Sequence, residues 1–231
     1  MSQQALSPLN TVDLAGSLNP LFPVNLRPCR GALDNAIEYR NIMLLGSQGS
    51  GKTTTTQSIA LELQKRYGSV SFFLQIAGID WLLKQGTRQI AKCWLLVAED
   101  ITLAKVPNKD LNAFFQVRHL IQEHTGIREG MAVTVLNSHT FHGLNKNLRD
   151  TFNALIIKSV PTNPYDRSIL KRYFNPWLLD EYEKHWAINN ALVWTPEHNH
   201  GSLITVKAPD QDAIQNTIVR RSIWANLFRG R

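Results

Sequence analysis

The sequence predicts an α/β protein, with a mainly parallel five-strand core sheet flanked by helices and followed by a C-terminal β-hairpin and helix. Three observations carry that prediction. From residue 41 onward, apolar runs of strand length alternate with helical patterns, and such alternation builds parallel sheets through right-handed crossovers. The octapeptide G-S-Q-G-S-G-K-T at 46–53 directly follows the first of these strands and opens the first helix, which is the strand–loop–helix setting of a phosphate-binding P-loop. Its four defined positions would coincide by chance in about one chain in a hundred of this length, from average residue usage. Finally, 231 residues that are 43% hydrophobic and 19% charged suffice for one complete core.

The elements follow in order. Residues 1–38 hold Pro8, Pro20, Pro23 and Pro28 among Asn, Ser and Leu, a composition that resists regular structure but can lie across a surface. We read 1–38 as an extended N-terminal arm and 39–231 as a P-loop domain. The run N-I-M-L-L gives a strand over 42–46, and the pattern after the glycines gives a helix over 52–67. Strands are expected over 69–75, 93–98, 131–137 and 153–159, and helices over 79–91, 108–124 and 145–151. Two Asn-Pro pairs place proline in the first turn of helices over 164–174 and 176–189. Segments 191–195 and 202–207 read as a hairpin around E-H-N-H-G. An amphipathic helix over 210–228 closes the pattern, with Arg220, Arg221, Arg229 and Arg231 crowding its end.

Within the P-loop the residue types answer the needs of a bound ATP and its Mg²⁺. Gly46, Gly49 and Gly51 let the backbone wrap close to phosphate oxygens. Lys52 should reach the β- and γ-phosphates, and the Thr53 hydroxyl should ligate Mg²⁺. Ser50 and Thr54 add donors toward the α- and β-phosphates. The phosphates would sit at the N-terminus of the following helix, where N–H groups and the helix dipole favour anions.

A second half-site follows from C-W-L-L-V-A-E-D, an apolar strand that delivers Glu99 and Asp100 side by side. One acid can organise the metal shell and the other can orient or deprotonate the attacking water. Motor ATPases commonly order the pair Asp then Glu; the reversed order here assigns Glu99 to Mg²⁺ and Asp100 to water. The next strand ends in Asn137, Ser138, His139 and Thr140, polar groups able to contact a γ-phosphate if that strand inserts beside the P-loop strand.

The stretch A-V-T-V-L-N-S-H-T-F-H-G-L-N-K-N-L-R-D-T-F-N-A-L-I-I-K at 132–158 resembles the motif after the acidic strand in the FtsK/HerA superfamily, in its viral genome-packaging branch. The family's strand ends in a polar sensor, matched by Ser138 or His139. A helix start like Leu-Pro-Lys is matched by Leu144, Asn145 and Lys146, an arginine by Arg149, and an asparagine opening another strand by Asn153. The likeness covers about residues 40–207 and extends to the helix Y-D-R-S-I-L-K-R-Y-F and the closing hairpin. The family's sensor is commonly glutamine and its acids Asp-Asp or Asp-Glu, so both assignments stay open between neighbours. Packaging ATPases of icosahedral viruses with an internal membrane, archaeal turreted ones included, have about this length.

The resemblance implies a homo-oligomeric ring with ATP sites at subunit borders, double-stranded DNA driven through the centre, and viral capsid or internal membrane proteins as further partners. Host cytoplasm or the virion is the implied location. Arg149 is the implied arginine acting in trans, followed by Arg118, Arg167 and Arg172. DNA-gripping cations are expected at Lys105 and Lys109 after the acids, or at Lys84 and Arg88 on the preceding helix. Two other functions fit the P-loop: a replication helicase or initiator ATPase, and a nucleotide-gated partition protein.

Bulk properties set the outer limits. The formal charge of +7 and pI near 9.6 favour a polyanionic partner, and 143–172 concentrates Lys146, Arg149, Lys158, Arg167, Lys171 and Arg172. No apolar run reaches the roughly 18 residues of a membrane span, and M-S-Q-Q-A-L-S-P is not a signal sequence, so a soluble cytoplasmic protein is expected. Cys29 and Cys93 lack metal-ligand spacing and read as reduced thiols, Cys93 within the core. The pairs His139/His142 and His198/His200 have no third ligand at suitable spacing. The six tryptophans read as core and interface anchors.

Overall fold

The apolar run that leads into the P-loop becomes the centre of the sheet. A computed structural model describes residues 12–13, 36–67, 70–74, 93–98, 116–126, 128–144, 146–196 and 198–206. The strands are β1 (Val12–Asp13), β2 (Ala36–Leu45), β3 (Val70–Leu74), β4 (Cys93–Ala98), β5 (Glu129–Ser138), β6 (Ala154–Ile157), β7 (Asn190–Thr195) and β8 (His198–Thr205). The helices are α1 (Lys52–Tyr67), α2 (Val117–Thr125), α3 (Lys146–Arg149), α4 (Pro164–Leu170) and α5 (Pro176–Lys184). One sheet joins all the strands in the order β1-β8-β7-β6-β2-β5-β4-β3. Strands β6, β2, β5, β4 and β3 are parallel, and the β7–β8 hairpin adds antiparallel to the β6 edge.

Alternation along each buried strand sorts the core into two layers. On β2, Ile42 and Leu44 pack with Ile59 and Leu63 of α1, while Met43 and Leu45 face the opposite cluster with Val117 and Ile121 of α2, Leu170 of α4 and Leu179 of α5. Each fully buried side chain of this size contributes about 1.5–3 kcal/mol. Cys93 is a free thiol inside the first layer, its pKa pushed up to about 12 by burial.

β5 inserts between the P-loop strand and β4, as the motif order implies: Leu44 lies opposite Asn137 and Leu45 opposite Ser138. On the other side Asn153 locks β6 to β2. Its Oδ1 accepts from the Asn41 N–H at 2.8 Å, and its own N–H donates to the Asn41 carbonyl at 3.0 Å. The buried Asn41 side chain donates to Thr151 and accepts from Thr134, so this polar group inside the sheet is satisfied.

Several expected boundaries move. β2 starts at Ala36 rather than at 42, because Ala36–Asn41 already pair with Glu129–Thr134. The Asn-Pro openings of α4 and α5 hold: Asn163 accepts from Tyr165 N–H and Asn175 from Trp177 N–H, each with proline in the first turn. Yet α4 ends at Leu170 and α5 at Lys184, short of 174 and 189. The second hairpin strand begins at His198 rather than at 202, with Thr195 opposite His198 and a register shift between Val193 and Thr195. Gly201 in this irregular stretch has φ 74°, and a Cβ there would lie 2.4 Å from the Phe174 ring. The helices expected over 79–91 and 210–228, and the start of the one over 108–124, lie outside the described residues. No helix among the described residues is long and apolar enough to cross a membrane.

Candidate functional site

β2 delivers the P-loop at the carboxyl end of the central strands, where open α/β sheets place ligands. The Gly46 N–H donates to the Ser138 carbonyl at 3.1 Å, and α1 begins six residues later at Lys52. Gly49 and Gly51 take φ of 74° and 88°, left-handed values that a side chain would strain. They turn the chain back on itself above the helix N-terminus.

The Lys52 ammonium is drawn into this loop. Its Nζ donates to the Gly46 carbonyl at 2.8 Å and to the Ser47 carbonyl at 3.0 Å, and stands 3.4 Å from His139 Nδ1. That same Nδ1 lies 3.1 Å from the Gly46 carbonyl. One ring nitrogen cannot donate to a carbonyl and accept from an ammonium at once, so the heavy-atom distances assign the N–H to Nδ1, pointing at Gly46. Lysine and imidazole therefore share one carbonyl at the mouth of the loop.

The Ser50 hydroxyl is buried with no hydrogen-bond partner among the described residues. A buried hydroxyl normally finds an acceptor or donor, and this one lies within the glycine loop, 2.5 Å from where a Cβ on Gly46 would stand. That chemistry fits phosphate oxygens. Thr53 is exposed on the first turn of α1, where its hydroxyl can meet a metal ion, and Thr54 is half-buried beside it. The residues present thus fit ATP, with Lys52, Ser50 and the loop amides on phosphate and Thr53 on Mg²⁺.

The other expected residues divide. Ser138 is buried and commits its hydroxyl to its own turn, donating to the Thr140 carbonyl at 2.6 Å and accepting from the Thr140 N–H at 3.2 Å. His139, one residue on, is the member of the pair that faces Lys52. His142 turns elsewhere: its backbone N–H and its Nδ1 both meet Asp166 Oδ1, at 2.7 and 2.9 Å, so the two histidines do not converge. Asp166 is fully buried and anchors the loop that carries His139. Arg149 ends α3 on the β5–β6 crossover, half-buried, and its positive charge acts on Tyr173. Arg167 is tied to Asp180 at 2.8 Å and Glu183 at 2.7 Å. Glu99 and Asp100, which follow β4 directly, and Lys84, Arg88, Lys105 and Lys109 lie outside the described residues.

Lys158, one of the cations concentrated in 143–172, is not at the surface. It follows β6 and is only 1% exposed. Its Nζ donates to the Ile188 and Asn190 carbonyls, each at 2.7 Å, and burial pushes its pKa down to about 8. Its backbone N–H donates to Leu45 O at 2.8 Å, and its Cβ lies 3.0 Å from where a Cβ on Gly46 would stand. The next residue, Ser159, accepts from the Ser47 N–H at 2.7 Å and donates to the Ser47 hydroxyl at 3.0 Å. β6 thus buttresses the P-loop from the side opposite β5. Sequence reasoning missed this support; its one signal was the K-S pair closing the apolar run A-L-I-I.

No family model matches the sequence, and no curated protein does. Solved structures do. The genome packaging NTPase B204 of Sulfolobus turreted icosahedral virus 2, in complex with ATP-gammaS, superposes with a TM-score of 0.51 at 11% identity, over 71% of this chain and 96% of that one. The same NTPase with AMPPCP gives 0.52 at 10% identity, over 71% and 95%. The DNA-packaging ATPase B204 of Sulfolobus turreted icosahedral virus gives 0.50 at 9% identity, over 74% and 98%. The chain has the P-loop NTPase fold of these packaging ATPases. In this fold the loop after the central strand is Gly46–Thr53.

Proposed function

We propose that this protein is an ATP-hydrolysing, Mg²⁺-dependent motor that moves double-stranded DNA, packaging a viral genome into a capsid as a homo-oligomeric ring. The observation that carries the reading is the P-loop itself: Lys52 drawn over its carbonyls, with the buried Ser50 hydroxyl unpartnered among the described residues. The fold shared with the B204 packaging ATPases, solved with ATP analogues, supports the motor class, and a net charge of +7 suits a DNA partner.

Mg²⁺, when held by Thr53 and Glu99, would supply positive charge that offsets the charge of the phosphates. Lys52 compensates charge that develops on the β- and γ-oxygens, and Thr53 with Glu99 holds the metal shell. Asp100 orients the attacking water, while His139 or Ser138 senses the γ-phosphate from the β5 tip. Arg149 completes the charge compensation on a neighbouring subunit's nucleotide. Lys105 and Lys109, or Lys84 and Arg88, grip DNA phosphates without reading bases.

The test is ATP turnover with and without double-stranded DNA. Turnover should rise with DNA. Lys52→Ala should lose both turnover and triphosphate affinity, while Glu99→Gln and Asp100→Asn keep binding better than turnover. Wild-type turnover in all three variants would remove the active-site assignment. ATP-driven strand separation would point to a helicase, and slow turnover with nucleotide-controlled assembly to a partition protein.

A further inference from the structure

Beside the P-loop the chain holds two large apolar side chains out to solvent. Trp186 is 44% exposed and Ile188 58% exposed, both in the segment between α5 and β7. An unsupported loop would fold such residues inward or leave them mobile. Here the segment is pinned by buried polar groups. The Trp186 indole N–H donates to the Lys158 carbonyl, and the Lys158 ammonium holds the Ile188 and Asn190 carbonyls. The buried Tyr182 hydroxyl lies 2.9 Å from the Lys158 carbonyl and 3.0 Å from that of Asn190, donating to one at a time. Burying an ammonium is costly unless it is well hydrogen-bonded. These bonds hold two exposed apolar residues in fixed positions beside the P-loop, where they are available to a ligand.

Position identifies the occupant. The Ile188 carbonyl lies 3.3 Å, and its Cγ1 3.5 Å, from where a Cβ on Gly51 would stand. Gly51 immediately precedes Lys52, so the patch adjoins the very turn that cradles phosphate. A triphosphate held there carries a planar, largely apolar base one ribose away. Indole faces stack on any base, and a branched aliphatic side chain covers the edge of such a stack.

We propose that Trp186 and Ile188 form the base-binding wall of the nucleotide site, with a purine stacked on the Trp186 indole and Lys158 as the positioning residue beneath it. This rests on the P-loop holding a nucleotide triphosphate, as argued above. Because stacking reads a π-face and not a hydrogen-bond pattern, the wall grips bases generally and contributes affinity more than choice among them.

The experiment compares two ligands on the full chain: ATP-gammaS, which has a base, and inorganic tripolyphosphate, which has only the phosphates. Isothermal calorimetry on wild type, Trp186→Ala, Trp186→Phe and Ile188→Ser supplies the dissociation constants. Trp186→Ala should weaken ATP-gammaS on the order of tenfold and leave tripolyphosphate unchanged, Trp186→Phe should recover most of the loss, and Ile188→Ser should lose less in the same selective way. Equal losses for both ligands would mean the segment merely props the P-loop, overturning the wall. So would nucleotide affinity unchanged in both Trp186→Ala and Ile188→Ser, including the case where only their oligomer size falls, since the patch is then a subunit contact. If wild type binds tripolyphosphate as tightly as ATP-gammaS, the wall fails while the phosphate cradle stands. If wild type binds neither, the cradle fails and takes the wall with it.

Discussion

Replacing Lys158 by methionine keeps the length of the side chain and removes its charge, which makes it a direct probe of how β6 supports the P-loop. Two opposing effects can be sized. Burial lowers the Lys158 pKa from 10.5 to about 8, so keeping the ammonium at neutral pH costs on the order of 3 kcal/mol. Removing it leaves the Ile188 carbonyl without its donor, at a penalty of about 1–3 kcal/mol, while Tyr182 can still serve the Asn190 carbonyl. Near pH 7 the variant should therefore lie within about 2 kcal/mol of wild type. The pH dependence is the sharper readout. Since the folded-state pKa lies below the unfolded one, the unfolded chain binds more protons between pH 8 and 10.5, and wild-type stability should rise with pH through that window. Between pH 7.5 and 9.5 the gain from this one group is about 2 kcal/mol. Cys93 acts oppositely above its ordinary pKa of 9.0, because its folded value is raised to about 12, but it is common to both proteins and cancels in their difference. Urea unfolding of wild type and Lys158→Met at pH 7.5, 8.5 and 9.5 measures it. Parallel stability curves would refute a buried, pKa-depressed lysine behind the P-loop.

Two further outcomes test the surrounding machinery. Arg149→Ala should lower turnover on the order of a thousandfold, with nucleotide affinity nearly unchanged. Mixing that variant with Lys52→Ala subunits should restore composite sites, and confirmed mixed rings without recovery would exclude an arginine acting in trans. Asp166→Ala should lower stability by roughly 2–3 kcal/mol, since the buried carboxylate takes both the backbone N–H and the ring of His142. A loss below about 0.5 kcal/mol in chemical unfolding, the size of an ordinary surface change, would show that Asp166 does not anchor the His139 loop.

The P-loop was legible because everything it needs is local: glycines for left-handed turns, a lysine and a threonine at fixed offsets, and a helix N-terminus made by the same eight residues. The parallel core was legible because βαβ alternation leaves few topologies, and β5 does insert beside β2. The Asn-Pro openings of α4 and α5 are equally local, each cap lying two residues from its donor. What escaped the sequence depends on groups far apart in the chain. The first turns of β2 hold Glu38, Tyr39 and Arg40, polar enough to hide a strand that only its pairing with Glu129–Thr134 makes. Lysine is ordinarily a surface residue, and Lys158 is buried because the Ile188 and Asn190 carbonyls, thirty and more residues on, accept its protons. The helical pattern after Pro176 runs to 189, but α5 stops at Lys184, and the Trp186 indole beyond its end is bonded to the Lys158 carbonyl. Composition likewise counts Arg167 as free positive charge, whereas Asp180 and Glu183 of the next helix neutralise it. Short-range chemistry wrote the glycine–lysine loop at the start of α1; long-range hydrogen bonds decided what stands beside it.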